Sequence, residues 1–430
     1  MTRKTNVRHY ADVPTSNQDG IAASAGPLAG LRVIDMTTSY AGPTASMYLA
    51  DLGADVVKVE RPGAGDDARD WGPPFVGNAS AWFASANRNK RSVVINLRDP
   101  QGRAALRRLI GCADVFMENL NPAKLIALGI DYATISAQFP RVIYCALSGF
   151  GLDGPDRALP GYDLAAQARS GIMSVTGPPG GSPQRVSSAL SDVMTGMCAA
   201  LAVSAAVVRQ REHGAGDLID VSLLDSDLAV MAPRIAAYLA GDPEPAPSGG
   251  TDSVLAVYQS FPTADRDVVI AIGNDQMWQR FCEAIGLWEL GGQPELADNA
   301  GRRLHRRRLV AAVTNKLADR TAAQWLRILG EAGIPCSLVQ RLSEVVIDPQ
   351  VVSRGALMPV PGPDSALYSV HSPFRLASIP QPRNERFPSL GANTVEVLDE
   401  FGFSSADIER LVRGGAVHDG RSSYVGGTPG

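Results

Sequence analysis

"LRVIDMTTSYAGPTASMYLADLGADVVKVER", residues 31–61, is the stretch that decides the fold class. "LRVIDM" (31–36) reads as a strand, and "GPTASMYLADLGA" reads as a helix that Gly53 can cap at its C-terminus. "DVVKVER" (55–61) reads as the next strand. The same alternation continues through "SVVINL" (92–97), "DPQGRAALRRLIGCA", "DVFMEN" (114–119) and "RVIYCAL" (141–147). Strands and helices in alternation predict an α/β fold with a mostly parallel sheet and helices on its faces. Glu60 ends the second strand, as a ribose-binding acid would in a dinucleotide site. The intervening turn "TTSYAGP" holds one glycine instead of the GxGxxG spacing, which excludes an NAD fingerprint. A Walker pattern is absent as well.

The composition bounds the function further. The chain has 430 residues, enough for two domains, with 45% hydrophobic and 20% charged residues, an ordinary globular mixture. A formal net charge of −4 and a pI near 5.8 give no electrostatic case for nucleic acid as the main partner. Five scattered cysteines without a CxxC fit a reducing, cytoplasmic setting, and five histidines without a close His/Cys/Asp cluster argue against a catalytic metal. The N-terminal "MTRKTNVRHYADVPTSNQDG" has no apolar core of a signal peptide. The apolar run 193–208 falls short of the ~20 residues that span a bilayer and contains Thr195, Gly196 and Ser204, so a buried core helix is expected and no membrane partner.

From about residue 226 the texture changes. "GDPEPAPSGGTDS" (241–253) is a Pro/Gly/Ser-rich break, and "DVVIAIGNDQMWQRFCEAIG" supplies a strand–helix pair. "RRLHRRR" (302–308) is expected to be a solvated helix face. "SLGANTVEVLDEFGFSSADIERLV" returns the chain to the larger body. The expected organisation is a tail (1–27), a large domain (28–225), a small domain with linkers (226–344), a C-terminal return (345–417) and a second tail (418–430).

Three stretches carry candidate chemistry. In 39–74, Ala41, Gly42 and Pro43 let a ligand approach backbone at a helix N-terminus, and Arg61 could meet a phosphate with its planar fork. In "NRNKRSVVINLRDPQG" (87–102), Arg88, Lys90, Arg91 and Arg98 would join Arg61 in a basic mouth for a phosphorylated ligand. In "LSGFGLDGPDRALPGYDLAAQARSGIMSVTG" (147–177), glycines lie close to Asp153, Asp156, Tyr162 and Asp163. Beyond them, "SSALSDVMTGMCAALAVSAAV" (187–207) sets one carboxylate, Asp192, in an otherwise small and apolar run. Such a residue is at the surface, caps a helix or is a reactive group.

Taken in order, "AGPTASMYLADLGADVVKVERPGAGD", "NRNKRS", "ADVFMENLNP", "PRVIYCALSGFGLDGP", "GYDLAAQARSGIMSVTG" and "LGANTVEVLDEFG" resemble the family III CoA-transferases, the group of formyl-CoA and carnitine CoA-transferases. The α-methylacyl-CoA racemases share that fold. The resemblance runs from about Leu28 to Gly415. It implies a Rossmann-like large domain, a smaller α/β domain and a homodimer of interlocked rings. It also implies coenzyme A or acyl-CoA as substrate, with a carboxylic acid as the second substrate and no permanently bound cofactor or metal. Asp192, with Gly196 four positions on, matches the family nucleophile, which forms an aspartyl anhydride and then an aspartyl-CoA thioester. Tyr162 and Asp163 match the tyrosine–acid pair beside it. Tyr40, Ala41, Arg61, Ile95, Arg98 and Asn119 fall at CoA-binding positions, and Gly249 and Gly250 in "SGGTDS" stand for the glycine loop near the thioester.

The chain departs from the formyl-CoA pattern at Ala127 and Pro160, where that branch has an arginine and a lysine, and in its shorter glycine loop. Two other readings are weighed. A racemase uses a histidine in "GHD" as its second acid/base, whereas this chain has "GYD", and a phenol near its ordinary pKa of ~10 is a poor base. A non-catalytic CoA-binding subunit would be expected to lack Asp192. Residues 226–260, with Met231, Leu239, Val254, Leu255 and Tyr258, are expected to shape the acyl pocket and to lean toward a sizeable apolar acid.

Overall fold

The structure, a computed structural model, describes residues 26–361, 368–377 and 384–420. The two expected tails lie almost wholly outside these residues. The described chain divides into two compact units, one comprising 26–166, 189–229 and 355–420, the other 167–188 and 230–354. Segment 167–188 thus groups with the second unit, and the C-terminal return begins at 355.

The first unit is built on six parallel strands, β1 (Arg32–Asp35), β2 (Asp55–Glu60), β3 (Arg91–Ile95), β4 (Val115–Glu118), β5 (Ile143–Ser148) and β6 (Leu218–Ser222). Their order is β3-β2-β1-β4-β5-β6, with the two-residue strand Val417–His418 antiparallel on the β3 edge. Sequence-derived strands and observed ones differ by one or two residues at their ends, where hydrogen bonding and not hydrophobicity sets the boundary. One rung of the sheet joins Val56, Val33, Val115 and Ile143, all fully buried, as strands covered on both faces require.

Helix α1 (Ala41–Asp51) and the 24-residue helix Leu190–His213 cover one face. Ala45, Leu49, Ala199 and Val203 share their core with the strands. Helix Leu190–His213 is the one described helix long and apolar enough to cross a membrane; polar flanks extend it beyond the apolar run. Ala199, Ala200, Val203, Ala206 and Val207 commit one face of it to the core, while Leu201 and Val208 stay exposed. A Cβ on Gly196 would stand 2.9 Å from the Ala41 carbonyl and from Thr44 Cβ, so only glycine permits the two helices to cross so closely here. On the opposite face, Leu106 and Leu109 of helix Pro100–Gly111 pack with Val397, Leu398, Phe401, Ile408 and Leu411 of the C-terminal helices.

The second unit holds a three-stranded antiparallel sheet with Asp267–Ala271 between Tyr258–Pro262 and Cys336–Leu338. Trp278, Phe281 and Trp325 anchor its core. The basic run 302–308 is in part the solvated face that its charge suggested, with Arg303, Arg307 and Arg308 exposed, but Arg302 and Arg306 turn inward. Arg302 is buried against Asp275, Arg303 pairs with Asp242, and Arg306 donates to the carbonyls of Asp252 and Leu255 at 2.6 and 2.7 Å. These arginines staple a loop-rich segment whose backbone acceptors lack strand partners.

Candidate active site

Strand order reverses between β1 and β4, and in such sheets ligands bind beyond the carboxyl ends of the strands at that point. Two cavities lie there. One, of about 580 Å³, is lined by Thr38, Ala41, Glu118, Asn119, Tyr162, Asp192 and Thr195 among others. The second, of about 730 Å³, is lined by Arg61, Ile95, Arg98, Lys124 and His418 among others. Thr38 and Leu120 line both, so the two abut.

The turn between β1 and α1 is held from beneath by a buried charge network. The Asp35 carboxylate accepts from Thr37 N (2.9 Å), from Ser46 Oγ (2.5 Å) and from Lys90 Nζ (3.2 Å). Lys58 Nζ donates to the Thr37 carbonyl at 2.8 Å and pairs with Asp66 at 2.8 Å, and Asp66 accepts from Ser39 N at 3.0 Å. Lys90 also donates to the Pro43 carbonyl at 2.8 Å. Burial opposes charge on Asp35, but Lys90 and Lys58 overcome it and hold the carboxyl below its ordinary range. Burial pulls Lys90 down to about 8, with Asp35 opposing the fall, so it remains an ammonium at neutral pH. Within this turn Ser39 adopts a left-handed φ of 71°, a conformation a non-glycine residue keeps only where its surroundings enforce it.

This network corrects the expected basic mouth. Arg88 is buried and gripped by Asp51, the last residue of α1, and Arg91 is spread between Asp55 and Glu400. With Lys90 turned inward, only Arg61 and Arg98 of the five line the cavity. Arg61 meets Asp67 at the surface, and Arg98 is exposed with no ion-pair partner among the described residues. Ile95 is a core side chain that floors the same cavity. Lys124 and His418 join them, brought there by the fold from a helix and from the C-terminal strand.

Asn119 has a positioning role. Its side chain clamps Thr38, accepting from Thr38 N at 3.0 Å and donating to the Thr38 carbonyl at 2.9 Å. Beside it, the Glu118 carboxylate accepts from Leu120 N at 2.7 Å, and burial pushes Glu118 up to about 7. Tyr40 precedes α1, its hydroxyl 3.0 Å from Ser85 Oγ and its ring set edge-on to Trp82 at 5.2 Å. Trp82 in turn meets Trp71 at 6.4 Å, and both tryptophans are partly exposed; this aromatic cluster, Tyr40 included, is not part of the lining of either cavity. Burial, with the nearby charge of Asp192, holds the Tyr40 phenol above its ordinary 10.

Asp192 is not the helix cap. It is the third residue of helix Leu190–His213, whose N-cap, Ala189, has no capping side chain. Asp163, opening the helix Asp163–Arg169, takes that task from outside: its carboxylate accepts from Ser191 N at 2.8 Å and Asp192 N at 3.4 Å. Ser191 Oγ donates to Asp227 at 2.7 Å. The Asp192 carboxylate has no hydrogen-bond or ion-pair partner among the described residues. A helix start favours the charged form of a carboxyl, but burial, with the charges of Asp163 and Asp227, pushes Asp192 up to about 7. Two carboxylates and desolvation outweigh a helix dipole already spent on Asp163.

Tyr162 lines the cavity and is exposed, and its carbonyl accepts from Ala165 N and Ala166 N. The loop before it folds on itself at Gly149 and Gly161, where a Cβ on Gly149 would stand 2.6 Å from the Gly161 Cα. That close approach accounts for Gly149 and Gly161. Gly249 and Gly250 lie in the second unit with left-handed φ of 67° and 83°, Gly249 N donating to the Gly177 carbonyl at 2.8 Å. Among the described residues no cluster of His, Cys, Asp and Glu is arranged to hold a metal ion.

The profile of CoA-transferase family III matches residues 28–394. The chain belongs to this family. It is 36% identical over 393 residues to the succinyl-CoA:glutarate CoA-transferase of Homo sapiens, covering 91% of this chain and 90% of that protein. It is 37% identical over 334 residues to the acetyl-CoA:oxalate CoA-transferase of Acetobacter aceti, covering 77% and 86%. A crystal structure of a CaiB/BaiF family protein from Brucella suis superposes with a TM-score of 0.77 at 33% identity, covering 88% of this chain and all of that one. The chain is a CoA-transferase acting on acyl-CoA.

Proposed function

We propose that the chain moves CoA from an acyl-CoA donor to a dicarboxylic acid through covalent intermediates on Asp192. The observation carrying this is the unpartnered carboxylate of Asp192 in a cavity, held near neutrality by burial and two acids. A carboxylate raised in this way is a stronger nucleophile once ionised. It adds to the thioester carbonyl, the C–S bond breaks, and CoA leaves as thiolate. The product is an acyl–aspartyl anhydride. The thiolate then adds to the Asp192 carboxyl carbon, the anhydride C–O bond breaks, and the donor acid departs as carboxylate. The acceptor acid repeats both steps in reverse order and regenerates Asp192. No net proton moves in the cycle.

The nucleotide end of CoA would lie in the cavity of Arg61, Arg98 and Lys124, and the pantetheine arm would pass Thr38 and Leu120 toward Asp192. Of the five side chains expected to favour an apolar acid, Leu239, Val254 and Tyr258 are exposed, Leu255 is half-buried and Met231 is buried, and all five belong to the second unit. Arg157 is the single basic side chain among the described residues lining the Asp192 cavity, and it is exposed with no ion-pair partner among them. It would meet the second carboxylate of a dicarboxylic acyl group.

CoA exchange between succinyl-CoA and a panel of acids tests this. Glutarate is expected to be an acceptor. Arg157→Ala is expected to raise the KM for dicarboxylates roughly tenfold, the weight of one charge-assisted hydrogen bond, and to leave a monocarboxylic acceptor unchanged. Equal loss for both acids would remove Arg157 from acid recognition. A homodimer is proposed as well, on the exposed Leu201 and Val208 of the long core helix. Sedimentation at the mass of a single 45.3-kDa chain would contradict it. Five unpaired cysteines fit a reducing, cytoplasmic compartment.

A further inference from the structure

Thr195 stands one turn beyond Asp192 on the same helix and lines the same cavity. The residue is wholly buried, and its Oγ1 has no hydrogen-bond partner. A helical threonine ordinarily returns its hydroxyl to a carbonyl in the preceding turn. Leaving it unpaired in the interior is costly, and natural proteins seldom do so without a use for the group. A second orphan, Thr44 Oγ1, lies where α1 crosses near Gly196, but Thr44 is not among the cavity residues.

We infer that the Thr195 hydroxyl is a hydrogen-bond donor for the oxyanion that forms on the Asp192 carboxyl carbon when CoA thiolate or the acceptor carboxylate adds to it. The inference rests on the covalent role of Asp192 proposed above. Residues three apart on a helix are neighbours on one face, so the reacting carboxyl and this hydroxyl are placed together. In the resting state the carboxylate is planar and Thr195 is unpaired. Addition turns the carboxyl carbon tetrahedral and concentrates charge on its oxygen, which can then take the bond. The hydroxyl keeps its proton throughout. A donor already in place and already desolvated favours the adduct without reorganisation. It acts on the two additions at the Asp192 carbon and not on the first attack by Asp192 on the donor thioester.

The test is a single turnover of the full chain with succinyl-CoA, quenched and read by intact mass for the succinyl and CoA adducts. Thr195→Val keeps the shape and removes the hydroxyl; Thr195→Ser keeps the hydroxyl. The Val variant is expected to form the CoA adduct about 100-fold more slowly, the effect of one oxyanion donor. It should accumulate the succinyl adduct and melt at or above the wild-type temperature, since a buried unpaired hydroxyl has gone. The Ser variant should stay near the wild-type rate. A Val variant at the wild-type rate, or Ser and Val slowed alike, overturns the inference. Wild-type protein that acquires neither adduct overturns it together with the role of Asp192.

Discussion

Asp192→Asn is expected to abolish CoA transfer, by about 10⁴-fold or more, while leaving the protein folded and more stable near neutral pH. The loss is on the scale of removing a covalent nucleophile. Asparagine could cap a helix as well as aspartate does. Capping is not at issue here, because Asp163 supplies the acceptor for the Ser191 and Asp192 amides. The gain in stability follows from the raised carboxyl. Between its ordinary 3.8 and about 7 the folded chain keeps a proton that the unfolded chain has released. Stability from this group therefore falls as pH rises through that window and stays low above it. At about 1.4 kcal/mol per pH unit the effect is bounded near 4 kcal/mol, and the partial exposure of Asp192 reduces it. Denaturant titrations at pH 5 and pH 8 should show the Asn variant ahead of wild type by more at pH 8. The same ionisation should give wild-type kcat/KM an ascending limb centred near pH 7. A flat profile from pH 5 to 8 would mean that the ionised form of Asp192 is not what reacts.

Asp35→Ala is expected to cost about 3–5 kcal/mol, because it leaves the Lys90 ammonium buried without its counter-charge. It also frees the Thr37 amide and the Ser46 hydroxyl, and with them the turn that carries Tyr40 and Ala41. The variant should therefore lose donor affinity as well as stability. Where Asp35→Ala fails to fold, the pair Asp35→Ala with Lys90→Met remains informative. Apolar replacement of both partners of a buried ion pair is often nearly neutral, so the double variant should unfold at higher denaturant than the single one. If both unfold alike, the pair does not hold the turn through its charges.

The parts of the molecule legible in sequence are those set by local pattern. β-branched runs and amphipathic helices located the parallel sheet, and the absence of a GxGxxG turn excluded the nucleotide mode such a sheet suggests. Asp192 was conspicuous because its neighbours are small and apolar. What escaped is set by partners far along the chain. Arg88, Lys90 and Arg91 look like part of a basic mouth until Asp51, Asp35 and Asp55 are folded against them. Arg302 and Arg306 likewise find their partners only in the fold. The ionisation of Asp192 depends on Asp163 and Asp227, one 29 residues before it and the other 35 after. No window over the helix alone would reveal it. Thr195 is an ordinary helix residue in sequence, and only its missing hydrogen bond distinguishes it.

The central claim, that Asp192 carries the acyl group and then CoA, is tested most directly by peptide mass mapping of wild-type protein quenched after mixing with succinyl-CoA. The account predicts a succinyl or CoA adduct on the peptide containing Asp192, absent from the Asp192→Asn variant. CoA exchange proceeding at full rate with that peptide unmodified, or with Asp192→Asn equally active, would contradict it.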